Sequence, residues 1–342
     1  MIIPKSSSWE TEMKLKCILT VLLLAMFCTS AHGLTVKMGT LAPEGSTWYN
    51  LLREMAEEWK QASDGKVSIR IYPGGVTGDE PDMVRKMRIG QLQAAGISSE
   101  GLADIYRDMS VLQIPFLLTS NEELDLLMKK MSSTFESRIE EKGFVVLTWM
   151  DAGWVRLFSQ SPVMTPEDLK DMTMYVWGER SPMVDAWKSK GIKAIGLSPT
   201  EIYPMLQAGK INAFSTTPIA SLSFQWFALA PNMADMKLGA LIGAMVVDKQ
   251  TWNRIPADVR ERLRQITRSY GSRMVEATRS YEKEAIEVMK SNGLKVNQIP
   301  EKTLSDWRSY AEDVYPILLT TPGEKSLYRE ISGHLGKKAR VD

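Results

Sequence analysis

The chain has 342 residues, with 42 lysines and arginines against 41 aspartates and glutamates, a formal net charge of +1, two cysteines and two histidines. That balance offers nothing to attract nucleic acid, and no run of like charge resembles an interaction tail. The length allows two domains with substantial cores.

The first predicted element is a secretory signal peptide over residues 1–33. Within "MKLKCILTVLLLAMFCTSAHG" (13–33), Lys14 and Lys16 precede an apolar run from Cys17 to Cys28, and Ala31-x-Gly33 fits a small-x-small cleavage site. The run is about a dozen residues, too short for a membrane-spanning helix, which needs roughly 20. Export to the periplasm is expected, with Leu34 as the first mature residue. Cleavage would remove Cys17, Cys28 and His32, leaving His334 as the remaining histidine. A disulfide, a histidine-based triad and a metal site are therefore not expected, nor is a cofactor.

From Leu34 the pattern alternates between strand and helix. "LTVKMGT" (34–40) reads as a strand, and Ser46 or Thr47 caps a helix carrying Trp48, Leu52, Met55 and Trp59 at helical spacing. "KVSIRIYP" (66–73) is a second strand, a helix follows near 80–89, and "AAGISS" (94–99) is a short strand. A helix is predicted from Asn121 to Glu141, then a buried-type strand over 143–150. Beyond it, Thr165, Ser181 and Ser198 each precede proline as N-caps, and Ser198 with Glu201 makes a capping box. "MTMYVW" (172–177), "KAIGL" (193–197) and "INAFSTTP" (211–218) lie between them. One long helix begins at Pro256, keeps Val259, Leu263, Ile266, Tyr270 and Met274 on one stripe, and stops at Asn292-Gly293. Gly271 near its middle suggests a bend. The grammar is α/β with a mainly parallel sheet.

In order and spacing, "IPFLL" (114–118), "TPEDLKDMTMYV" (165–176), "SPMVDAWKSKGIKAIGLSPTEIYPMLQAGKINAF" (181–214) and "VVDKQTWNRIPADVRERL" (246–263) make the chain resemble the solute-binding proteins of tripartite ATP-independent periplasmic (TRAP) transporters, of the dicarboxylate-receptor type. The resemblance implies a two-lobed periplasmic binding protein with crossing strands, a cleft between the lobes and a long helix spanning both. Lobe I is expected over 34–153 plus about 242–270, and lobe II over 154–241 plus about 271–342 with the C-terminal helices. It implies no catalysis: a small-molecule ligand is captured and passed to membrane permease subunits. An exported hydrolase or lyase with paired carboxylates is the competing class, and only Asp151 and Glu100 stand near strand ends to serve it.

Most members of that family carry an arginine after the "PEDLK" helix that grips a ligand carboxylate at two points. Counted from that motif, its position here holds Tyr175, and Trp177 follows on the same strand face. In "TWMDAGWVRLFS" (148–159) the family's second arginine position falls at Trp154 or Val155. Either Arg156 takes over by a one-residue shift or that anchor is lost; Trp149 lies in the same stretch. Where the family typically has a polar run, this chain has Phe214, Ser215, Thr216 and Thr217, then Phe224. Leu41, Trp48, Ser98 and Ser99 come from strand ends of the first lobe, where open α/β sheets bind ligands. These residues are the expected site. They predict a neutral or hydrophobic ligand; the alternatives are an organic-acid receptor anchored by Arg156 and a periplasmic lipid carrier. "FSTTPIASLSFQWFALAPNM" (214–233) resembles the branch associated with a tetratricopeptide lipoprotein partner.

Overall fold

The computed structural model describes Trp9, Met13, residues 33–178 and residues 181–341. The signal-peptide expectation therefore falls almost wholly outside the described residues, as do Glu179 and Arg180. From Thr35 onward the chain is one compact unit.

Its first half runs β1 (Leu34–Thr40), α1 (Thr47–Ala62), β2 (Val67–Tyr72), α2 (Glu80–Arg88), β3 (Ala94–Ser98), α3 (Ser99–Ile105), α4 (Asn121–Glu141) and β4 (Phe144–Ser159). The second half runs β5 (Thr173–Trp177), α5 (Pro182–Ser189), β6 (Lys193–Leu197), α6 (Ile202–Gln207), β7 (Ala213–Thr216), α7 (Pro218–Ser223) and β8 (Asn232–Asp248). It closes with α8 (Lys249–Arg254), α9 (Ala257–Ser291), β9 (Lys295–Gln298), α10 (Glu301–Glu312), α11 (Tyr315–Leu318) and α12 (Pro322–His334).

Local chemistry starts these helices where the sequence signals them. Ser46 accepts from the Tyr49 N–H at 3.2 Å to open α1, and Ser181 with Pro182 opens α5. Thr165 opens only a 3-10 turn, in which the Asp168 carboxylate accepts from the Thr165 N–H at 2.8 Å.

The described strands form one sheet in the order β2-β1-β3-β8-β4-β7-β5-β6, with β9 beside β8. β1 with β3, β5 with β6 and β7, and β8 with β9 are parallel. Where the halves join, the pairing is antiparallel: β8 lies against β3 and β4, and β4 against β7. The sheet is thus mixed rather than mainly parallel. β4 and β8, 16 and 17 residues long, run from one half into the other, which is why both have antiparallel neighbours. Three register shifts interrupt their pairing, one of them between Asp151 and Trp154, where Gly153 takes a φ of 98°.

The helix α9 spans 35 residues, about 52 Å at 1.5 Å per residue. Its buried stripe packs on α1 and β4, and Thr267 accepts from the Trp59 indole at 2.9 Å. It continues unbroken through Gly271. A Cβ there would sit 2.0 Å from Thr148 Oγ1, so this glycine permits close approach of β4 rather than marking a break.

Candidate ligand-binding site

Parallel strands of both halves end at one place, as ligand-binding α/β sheets do. Residues at or beyond the ends of β1, β3, β5 and β7 enclose a cleft of two adjoining chambers, about 200 and 160 Å³. Ser98, Tyr175, Trp177, Ser215 and Leu241 border both. The first chamber is walled by Phe116, Met183, Trp187, Trp307 and Tyr310. Leu41, Trp48, Phe224, Trp226 and Met274 wall the second. The two halves meet at its rim: a Cβ on Gly75 would lie 3.1 Å from Thr200 Cγ2, and one on Gly178 would lie 3.0 Å from Glu100 Oε1.

The alternation of β5 sorts its side chains. Met174 and Val176 enter the large core, whereas Tyr175 turns to the opposite face and Trp177 packs beside it. Tyr175 is 6 % exposed. Its hydroxyl and the Trp177 Nε1–H are both buried without a hydrogen-bond partner, which is costly for groups that can form such bonds. Phe116 is held at a left-handed φ of 60°, with its N–H donating to Leu238 O at 2.6 Å. Such a backbone is tolerated only where its surroundings enforce it.

Among the described residues the charged groups lining the cleft are acidic: Glu100 in the first chamber, Glu80 and Asp151 in the second. Glu80 Oε2 accepts from the Ser98 N–H at 2.9 Å, the Ser98 hydroxyl at 2.7 Å and the Gly101 N–H at 3.0 Å. Burial nonetheless outweighs these donors and pushes its carboxyl up to about 7. Glu100 is likewise pushed up to about 7, first by burial and then by the charge of Glu80. Burial, followed by the Glu100 charge, holds the Tyr175 phenol well above its ordinary value. Asp151 is raised by burial against the opposing pull of Arg279, which reaches it at 3.2 Å.

Of the residues expected from the sequence, the structure brings Leu41, Trp48, Ser98, Ser99, Tyr175, Trp177, Ser215, Thr216 and Phe224 to the cleft walls. It sets five apart. Trp149 packs edge-on against Phe135 and donates to Glu136 at 3.0 Å. Trp154 donates to Asn121 at 2.9 Å and lies under the Lys237 ammonium. Arg156 occupies the opposite face of β4 from the cleft residues Val155 and Leu157. There it is paired with Asp235 at 2.8 Å and Glu282 at 3.6 Å, so the one-residue shift does not return a guanidinium to the cleft. Phe214 is fully buried, stacked on Phe158 at 5.3 Å. Thr217 is buried and caps α7, accepting from the Ala220 N–H at 3.3 Å.

Sequence reasoning missed Glu80, Phe116, Trp187, Leu241, Trp307 and Tyr310. Trp307 and Tyr310 stand at i and i+3 on α10, one helical face, but nothing local links that helix to a cleft more than a hundred residues upstream. Glu80 follows the cap Asp79 directly and reads as an ordinary first-turn acid.

Comparisons with known proteins follow the same lines. The family model described as DctP, bacterial extracellular solute-binding protein, family 7, matches residues 38–319. A solute-binding protein of Chromohalobacter salexigens is 23% identical over 292 residues, 85% of this chain and 87% of that one. A TRAP periplasmic solute-binding protein of a Sulfitobacter species, solved with β-D-galacturonate, superposes with a TM-score of 0.82 at 20% identity, covering 87% of this chain and 99% of that one. A Ralstonia eutropha TRAP periplasmic solute-binding protein, solved with (S)-2-acetolactate, gives 0.82 at 21% identity over 89% and 99%. These likenesses show the two-lobed α/β binding-protein fold.

Proposed function

The chain belongs to the DctP family of bacterial extracellular solute-binding proteins, a family of receptors rather than enzymes, and on that premise we propose that this TRAP-type receptor takes an uncharged or largely apolar solute. The observation that carries the reading is Tyr175. It stands where the resemblance places the carboxylate-gripping arginine, buried between two chambers walled by aromatic and aliphatic groups. Each buried ring offers about 150–250 Å² of contact, worth several kcal/mol at roughly 25 cal/mol per Å² before the costs of binding. A carboxylate entering the same cleft would face Glu80 and Glu100 with no lysine or arginine among the described lining residues. The two solved relatives were crystallised with acids, β-D-galacturonate and (S)-2-acetolactate, and the reading for this cleft departs from both.

The reading extends to organisation and partners. Leu34 begins the mature, periplasmic chain, and its lobes divide at residues 153/154 on β4 and near 241/242 on β8, with α9 passing between them near 270. The solute is handed to a TRAP permease, and the resemblance of residues 214–233 adds a tetratricopeptide lipoprotein as a second partner. The organic-acid alternative through Arg156 is disfavoured by the ion pairs that occupy that guanidinium.

Native mass spectrometry of freshly purified protein tests both ends of the reading. A co-purified neutral or apolar molecule and an intact mass beginning at Leu34 are expected. In a thermal-shift assay succinate, malate and sialic acid should give no stabilisation. A micromolar ligand at thousandfold excess would contribute about 4 kcal/mol, so a clear upward shift with any simple carboxylic acid defeats the proposal.

A further inference from the structure

The first chamber is apolar but contains an unbalanced set of polar atoms. Glu100 comes from the first turn of α3 and borders the chamber. Among the described residues its side-chain hydrogen-bond partner is the neutral Gln113, the largest charge acting on it is that of Glu80, and Asp104 and Asp79 add further negative charge. From the other half, Tyr175 and Trp177 bring a hydroxyl and an indole N–H, both shielded from solvent and neither partnered by protein. Tyr175 is itself more than nine-tenths buried. The rings of Phe116, Trp187, Trp307 and Tyr310 surround this group.

We propose that the solute carries one polar head, an amine beside a hydroxyl or carbonyl oxygen, seated with its ammonium on the Glu100 carboxylate and its oxygen on the Trp177 N–H. The inference rests on the apolar-solute reading above and names the class of molecule within it. Three candidate heads can be compared. An acid adds a negative charge to Glu100 and Glu80. A neutral head can satisfy Trp177 and Tyr175 but gives no counter-charge to ionised Glu100, which has none among the described lining residues. An ammonium supplies that counter-ion, makes a charge-assisted hydrogen bond, offers an N–H to the Tyr175 oxygen, and gains from aromatic faces around it. The indole N–H can only donate, so the head must also bring an acceptor oxygen. Because Glu100 and Trp177 belong to opposite halves of the sheet, the same head would tie the halves together when bound.

The test uses three probes of one shape on the full-length exported protein: phenylalaninol, 3-phenylpropane-1,2-diol and 3-phenyllactate; the diol differs from each of the other two in a single group. Isothermal titration should give phenylalaninol roughly tenfold or more over the diol, the difference expected of one charge-assisted hydrogen bond. Phenyllactate should show no binding. In Glu100→Gln the preference should vanish through loss of amine affinity. Equal binding of amine and diol by the wild-type chain overturns the amine seat and leaves the apolar-solute reading standing. Tightest binding of phenyllactate overturns both. Absence of binding by all three overturns the amine seat. The wild-type comparison decides the matter even if the variant does not fold.

Discussion

Two recesses lie on opposite faces of the crossing strand β4, and they treat polar groups in opposite ways. Val155 and Leu157 face the cleft, whereas Trp154 and Arg156 face a smaller recess against α9. In that recess Arg156, Arg279 and Lys237 stand among Asp151, Asp235 and Glu282, and charge meets opposite charge, although Arg156 Nε and Asp151 Oδ1 keep no hydrogen-bond partner of their own. In the cleft, rings predominate; Glu80 and Asp151 there have partners of their own, whereas the Tyr175 hydroxyl and the Trp177 N–H have none in the protein, and Glu100 has no partner of opposite charge among the described lining residues. Where guanidinium groups are already compensated by carboxylates they hold the crossing strands to the long helix. Where polar groups without a protein counter-charge border open space, the proposed solute would supply their partner.

The largest effect that could break this comparison is in the recess. Arg156 is 8 % exposed, and Glu282 beside it is nearly as buried. Arg156→Ala should cost about 3–5 kcal/mol, because it strands a buried carboxylate. Urea unfolding would read this, and ligand affinity of the folded fraction should be unchanged. A variant of normal stability that has lost its ligand would show that Arg156 belongs functionally to the cleft.

An intermediate effect concerns pH. Glu80 has a folded value of about 7, above its unfolded value of 4.5. A carboxyl raised by burial binds more protons folded than unfolded between those values, so its presence lowers stability as pH rises. The empty receptor should therefore be most stable below about pH 4.5 with respect to this group, and should lose a few kcal/mol by pH 7. Glu80→Gln keeps an oxygen for the Ser98 and Gly101 donors and should flatten that slope in thermal melts across the range. An unchanged slope would mean that Glu80 is already ionised at little cost and that the cleft is wetter than its lining suggests.

How much of this was legible follows from periodicity. Strands with clean alternation lie within a residue or two of expectation, as at β5 and β6, and the hydroxyl–proline signal at Ser181 marks the start of α5. β8 escaped because Lys237, Gly239 and Gly243 interrupt any regular pattern, and because it serves one half at each end. The face of β4 could not be counted from sequence either, since a bulge at Asp151–Trp154 resets the parity on which Trp149, Trp154 and Arg156 depend. Adjacent Phe214 and Ser215 could not both face the cleft: alternation sends the ring to Phe158 and the hydroxyl to the ligand side. Tyr175 and Trp177 were readable because β5 carries no bulge and its neighbours Met174 and Val176 are plainly core.

The smallest expected change is also the sharpest probe of the cleft, because Tyr175 belongs at once to a core cluster and to the cavity wall. Tyr175→Ala would confuse the two roles, since removing a buried ring leaves a void costing about 3–5 kcal/mol wherever it lies. Tyr175→Phe separates them. The ring and its packing against Leu197 and Phe214 remain, and only the unpartnered hydroxyl is removed. In the empty receptor that oxygen is a buried group without a hydrogen bond, so its loss should leave stability unchanged or raise it by about 1 kcal/mol. In the loaded receptor the hydroxyl meets the solute, so affinity should fall roughly five- to tenfold, the weight of one hydrogen bond. Opposite signs for folding and binding are the signature of a group kept for its ligand. If Tyr175→Phe instead lowers stability and leaves affinity untouched, the hydroxyl serves the fold, and the contrast between the two faces of β4 no longer holds.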